Sequence, residues 1–186
     1  MTGSARSPSA IRIAGGRRRA GWRSAPTTVA SGRSISRCGR DTFLRIGGFD
    51  ERYAGYGGED TDFGKTLDRA GVAIAWIKGG LAYHQYHPHH MPPVHHLDSV
   101  VRNAQLFEAK WGYRTMGHWL HAFRLMGLID DTVGQPIRIL RRPHAGDLAL
   151  TGQQSHQPYA NTAQVVRQLE AMVAEAAEQP HATVAA

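Results

Sequence analysis

At 186 residues, 41% hydrophobic and 20% charged, the chain is long enough to bury one ordinary core and too apolar for disorder throughout. It holds no run of 18 or more apolar residues and no apolar leader at its start, so neither a helical membrane span nor a secretory signal is expected, and a cytoplasmic location is. The net charge of +7 sits at one end: residues 1–45 carry ten arginines against one acid, Asp41, whereas residues 46–186 carry twelve Lys/Arg against fourteen Asp/Glu.

Residues 1–30 are rich in Ser, Gly and Arg and lack apolar periodicity, which predicts a disordered, dispensable tail. Clustered arginine attracts polyanions. Trp22 is the sole aromatic there and no nucleic-acid-binding motif follows, so nucleic acid is not the expected partner. Cys38, the single cysteine, excludes an internal disulfide and reads as a small packed residue.

The organised part is expected to begin near Ser34. The stretch DTFLRIGGFDERY predicts a short helix or turn carrying Phe43, Leu44 and Ile46, then a Gly-Gly break and an acidic loop. In TDFGKTLDRAG, Phe63, Leu67 and Ala70 recur at helical spacing and Gly71 fits the C-terminal cap, which places Glu59 and Asp60 at a helix N-terminus. VAIAWI, Val72 to Ile77, predicts a buried strand, and GGLAYHQYH a second short extended piece.

Leu97, Val100, Val101, Ala104, Phe107 and Trp111 share one face of a predicted helix that Gly112 closes, and Met116, Trp119, Leu120, Phe123 and Met126 mark another that ends at Gly127. Their aromatics read as core rather than as a ligand platform. Residues 129–160 are polar and punctuated by Pro and Gly, as a linker would be. Residues 161–178 predict an amphipathic helix capped by Asn161 or Thr162, with Val165, Val166, Leu169, Met172 and Val173 as its stripe. No internal repeat is present.

Two features ask for chemistry. Glu59 and Asp60 follow a cluster of glycines, Gly55, Gly57 and Gly58, with Tyr56 among them. Acids at a helix start gain about 0.3–1 kcal/mol each from the helix dipole, which explains the acids but not the glycines. Glycine there would admit positive φ or a close approach of backbone to a ligand, and Tyr56 offers a flat ring that either stacks on a sugar or packs inward. The second feature is the set of six histidines between residues 84 and 96. The intervening prolines, the lack of cysteine and the lack of a helical His-x3-His pair argue against a structural zinc site.

The segment FLRIGGFDERYAGYGGEDTDFGKTLDRAG, followed by a strand and YHQYH, resembles the C-terminal region of galactosyltransferases within the family 2-type glycosyltransferases of the GT-A fold. The resemblance covers about residues 31–90 and implies an α/β fold, namely the acceptor-binding half of a Rossmann-like glycosyltransferase over residues 31–128, with added C-terminal helices. It implies Asp60 as general base of an inverting transfer and Glu59 as its partner. It further implies Tyr56, Gly57, Gly58, Glu59 and Asp62 as acceptor contacts, and His84 as a ligand for catalytic Mn2+ or Mg2+. The implied partners are a nucleotide-sugar donor and a carbohydrate or glycoconjugate acceptor, compatible with peripheral association with a membrane. No Asp-x-Asp motif precedes the resemblance, since Asp41 is the only acid before Asp50, so the nucleotide-binding half is expected to be missing. A non-catalytic carbohydrate- or partner-binding remnant of such an enzyme is the alternative expectation.

Overall fold

The computed structural model describes residues 10–11, 38–74, 82–83, 85–153 and 161–178. The architecture is mixed helix and strand, with three small antiparallel sheets of two strands each among the described residues. The chain forms two compact units, one from residues 1–53 and 58–87 and the other from residues 54–57 and 88–186.

In the first unit, β1 (Ala10–Ile11) pairs with β2 (Ala82–Tyr83), α1 spans Arg40–Arg45, and α2 spans Glu59–Arg69. Three phenylalanines supply its packing: Phe63 from α2 stacks on Phe49 at 4.3 Å between ring centroids, and Phe43 from α1 lies 5.8 Å from Phe63 and 6.1 Å from Phe49. The end of α2 is closed as the sequence predicts. Gly71 adopts φ +67°, and the Val72 amide reaches back to the Leu67 carbonyl at 2.9 Å, the six-to-one bond of a glycine-capped helix end.

Two expectations change here. Of the strand expected from Val72 to Ile77, Val72 to Ile74 form none, with no strand partner among the described residues, and Ile74 is exposed; Ala75 to Ile77 lie outside the described residues. Cys38 is exposed rather than packed, because it precedes α1 instead of lying on an apolar face.

The second unit is helical. It comprises β3 (His89–His90), a 3-10 turn at Val94–His96, α3 (Leu97–Trp111), α4 (Gly117–Leu125), β4 (Ile129–Asp130), β5 (Arg138–Ile139), α5 (Ala145–Thr151), β6 (Gly152–Gln153) and α6 (Thr162–Glu178). β3 pairs with β6 and β4 with β5. One core gathers Leu97, Val100, Val101 and Ala104 of α3, Trp119, Leu120 and Phe123 of α4, and Val165 and Leu169 of α6. Burial at positions 97, 100, 101, 104 and 107 reproduces the apolar stripe of α3, and Gly112 closes it at φ +80°. The start of α6 carries a reciprocal cap: the Gln164 amide donates to Asn161 Oδ1 at 3.0 Å, and the Asn161 amide donates to Gln164 Oε1 at 2.7 Å. Met172 and Val173, assigned to the stripe by periodicity, are half-exposed.

Of the segment expected as a linker, residues 129–153 carry elements of their own, while residues 154–160 lie outside the described residues. Asp147 is buried, accepts two bonds from the Arg141 guanidinium at 2.5 and 3.0 Å, and takes the His144 amide at 2.8 Å, which fixes the first turn of α5. The hydrogen bonds from Arg141, the His144 amide and the positive charge nearby hold the Asp147 carboxyl below the usual carboxylate range. A polar, Pro-punctuated sequence hid this order because its organisation comes from one ion pair and a side-chain cap instead of an apolar stripe.

Candidate functional site

The acids stand on the first turn of α2. Gly58 precedes the helix at φ +96° and offers no side-chain cap, and Glu59, Asp60 and Asp62 stand in the first turn, at the positive end of the helix dipole. Asp60 is half-buried, and its Oδ1 accepts the Thr61 amide at 2.7 Å and the Thr61 hydroxyl at 3.3 Å. Glu59 is exposed. Asp62 is buried and accepts the Tyr53 hydroxyl at 3.2 Å. Burial, followed by the Asp62 charge and this hydrogen bond, pushes the Tyr53 phenol well above the usual tyrosine range.

The loop residues Ala54–Gly57 are anchored on the helical unit. Asn103 of α3 donates from Nδ2 to the carbonyls of Gly57 at 2.8 Å, Ala54 at 3.3 Å and Tyr56 at 3.4 Å, and the Arg102 guanidinium also donates to the Ala54 carbonyl. The glycines fit this docking. A Cβ on Gly55, at φ +83°, would meet Ser99 Cβ at 2.6 Å; one on Gly57, at φ +89°, would meet Met116 Sδ at 2.5 Å and Trp119 Cζ3 at 3.1 Å. Close approach of backbone to α3 and α4 therefore requires glycine at both positions.

Of the two alternatives that the sequence left open for Tyr56, the structure shows inward packing. The ring packs within the unit, stacked on His96 at 4.6 Å and 11° and on Trp119 at 5.6 Å and 27°, yet it stays 38% exposed. Trp119 is core, as its periodicity indicates. Four histidines cluster nearby in the same unit: His90 lies 4.7 Å from His95, and His95 lies 4.0 Å from His96, between ring centroids, while His89 adds to the local charge when protonated. Burial first, then the neighbouring imidazoles, lowers His95 to about 4, and the same causes lower His90. His90 Nδ1 also lies 3.0 Å from the Thr151 hydroxyl.

The structure thus brings Tyr56 and Gly57 together with His96, Asn103 and Trp119, and brings Glu59, Asp60 and Asp62 together with Tyr53. Gly58 is buried at the start of α2. His84 lies outside the described residues, and among the described residues no group of three or more His, Cys, Asp or Glu side chains could hold a metal. Sequence reasoning missed Asn103 and Tyr53. The signal for Asn103 was available, because it is a polar residue on the apolar stripe of α3, three residues after Val100 and four before Phe107.

Residues 17–90, less than half of the chain, match the family described as the N-terminal domain of galactosyltransferase. Two relatives give that class more definition. Over 45 residues the chain is 44% identical to the chondroitin synthase of Escherichia coli, a match covering 24% of this chain and 7% of that protein. Over 56 residues it is 41% identical to the chondroitin synthase of Pasteurella multocida (strain Pm70), covering 27% of this chain and 6% of that protein. The chain is thus matched to well under a tenth of the length of either relative. No solved structure matches the chain. No helix among the described residues is long and apolar enough to cross a membrane.

Proposed function

We propose that the chain takes part in glycosyl transfer from a nucleotide-sugar to an acceptor hydroxyl, with Asp60 as general base and inversion at the anomeric carbon. The observation that carries the proposal is the half-buried Asp60 carboxylate on the first turn of α2, inside the segment that matches the galactosyltransferase family. In this reading the acceptor oxygen bonds to the anomeric carbon, its proton passes to Asp60, and the bond to the nucleoside diphosphate breaks. Glu59 and Asp62 flank the base, and Tyr56, Gly57 and Gly58 belong to the acceptor loop. Assignment of this segment to the acceptor-binding half of a GT-A enzyme is part of the same proposal, since the matched family is described by an N-terminal domain. The chondroitin synthase relatives make chondroitin oligosaccharides the first acceptors to try.

A divalent cation, Mn2+ or Mg2+, is the cofactor the resemblance implies, with His84 as a ligand. The described residues do not assemble a site for it, and no step above runs through it.

A second reading, a saccharide- or partner-binding remnant without transfer, is supported by the fact that the loop glycines and the first-turn acids each have a cause apart from catalysis, in packing and in the helix dipole. The experiment that separates the two follows nucleoside diphosphate release from UDP-sugars in the presence of chondroitin oligosaccharides and Mn2+, for the chain alone and fused to a nucleotide-sugar-binding domain. The transfer reading expects release that falls by about 10²–10⁴-fold in Asp60→Asn, with the fold intact. Equal release by Asp60→Asn overturns the assignment of the base, and saccharide binding with no release in either form supports the remnant.

A further inference from the structure

We propose that Asn103 is the positioning residue of the acceptor loop: its carboxamide nitrogen, added to the close packing of Ala54–Gly57 on the helical unit, sets that loop so that Tyr56 presents a fixed ring to the acceptor saccharide. The inference rests on the glycosyl-transfer reading for its ligand and on the geometry of the helical unit for its mechanism.

Asn103 is 1% exposed and occupies the inner face of α3, between Val100 and Phe107. An apolar residue of equal size would extend the stripe there without desolvating an amide. Instead the amide nitrogen, with two hydrogens, faces three carbonyls. The bond to Gly57 at 2.8 Å is the firm one, and those to Ala54 and Tyr56 are longer, since two hydrogens serve three carbonyls. Turning the amide over would set Oδ1 at 2.8 Å from the Gly57 carbonyl oxygen, acceptor against acceptor, so the carbonyls fix its orientation.

That orientation leaves Asn103 Oδ1 buried with no partner among the described residues. A half-satisfied buried amide is a poor device for stability alone. Its nitrogen, however, reaches the Tyr56 carbonyl, which lies in the Tyr56–Gly57 peptide, and the carbonyls of Ala54 and Gly57, each one peptide further out on either side, and so restrains the backbone around Tyr56 and the direction of its side chain. The ring rests on His96 and Trp119 while the residue as a whole stays 38% exposed, which leaves part of it open to a ligand such as the C–H surface of a sugar.

The test compares the wild-type chain with Asn103→Asp, which keeps the shape and loses the donors, and Asn103→Leu, which keeps the volume and removes the amide. Hydrogen exchange is measured by mass spectrometry, chondroitin hexasaccharide binding by titration calorimetry, and transfer as acceptor KM against kcat. We expect the amides of residues 54–58 to exchange about tenfold faster or more in at least one well-folded variant, with α3 and α4 unchanged. Hexasaccharide affinity should fall, and acceptor KM rise, by about tenfold to a hundredfold while kcat moves far less. Unchanged exchange in the loop, or equal acceleration in α3 and α4, overturns the positioning role. Faster loop exchange in a protein whose wild-type form neither binds the hexasaccharide nor transfers sugar overturns the transfer reading instead and leaves Asn103 as the holder of the loop.

Discussion

Gly55→Ala is the sharpest test of the docked loop. The new Cβ would lie 2.6 Å from Ser99 Cβ and 3.0 Å from Ser99 Oγ. Carbon atoms in contact settle at about 3.5–4.0 Å, so roughly 1 Å of separation must be created. Ser99 Cβ moves only with the backbone of α3, so the loop must lift away, stretching the Arg102 and Asn103 bonds to the Ala54 carbonyl. Alanine at φ +83° costs about 1–2 kcal/mol, and overpacking about 1–3 kcal/mol more, for a total of about 2–5 kcal/mol. Gly112→Ala is the control in the same unit: its φ is +80° and nothing lies within 4 Å of the added carbon, so the backbone cost of about 1–2 kcal/mol stands alone. Urea unfolding of both variants, followed by far-UV circular dichroism and tryptophan fluorescence, measures the difference. Gly55→Ala should be the less stable by about 1–3 kcal/mol. Equal destabilisation would mean that the loop does not sit against α3, and the account of its glycines would fail.

Tyr53→Phe removes a donor from the buried Asp62 carboxylate and should destabilise by about 1–3 kcal/mol, as measured by urea unfolding. Because the folded phenol titrates above its unfolded value of about 10, the stability it contributes is complete below pH 10 and is lost as pH rises beyond it. Ultraviolet titration should show Tyr53 ionising after the other tyrosines, and simultaneous ionisation in the folded state would contradict this. His95 works in the opposite direction: its folded value is depressed to about 4 from about 6.5, so its contribution is complete above pH 6.5 and is lost as pH falls toward 4. His95→Gln should flatten the fall in urea midpoint across that window, and parallel slopes for variant and wild type would sink the assignment.

The helices were legible because each rests on a strong local pattern. The stripe from Leu97 to Phe107 closed by Gly112, the cap at Asn161 and the Gly71 terminus of α2 are local signals, and the structure places all three where the sequence predicts. Val72 to Ile74 misled because β-branched residues describe what a pleated surface accepts, not whether a partner strand is there to receive them. The order around Asp147 was hidden for the opposite reason: an Arg–Asp pair six residues apart leaves no periodicity. The docking of Ala54–Gly57 by Asn103 spans 46 residues or more, and no local pattern joins a buried amide to carbonyls at that separation.

The glycines and the acids that adjoin in the sequence have separate causes. The sequence suggests that glycine density serves the carboxylates, either by freeing their backbone or by letting a ligand approach. Gly55 and Gly57 are instead required by Ser99, Met116 and Trp119, side chains of the helical unit that would be met whether or not Asp60 were an acid. The dipole of α2 likewise accounts for acids on its first turn without reference to a substrate, and Asp60 already accepts the amide and hydroxyl of Thr61. Neither feature alone argues for catalysis. What supports the proposed catalytic role of Asp60 is its position inside a segment matched to galactosyltransferases, which neither the packing of the loop nor the dipole of α2 dictates. Under the proposed function, loop variants should change acceptor affinity through the position of Tyr56, and variants of Asp60 should change turnover. If Gly55→Ala and Asp60→Asn impaired the same kinetic constant, that division of labour would be wrong.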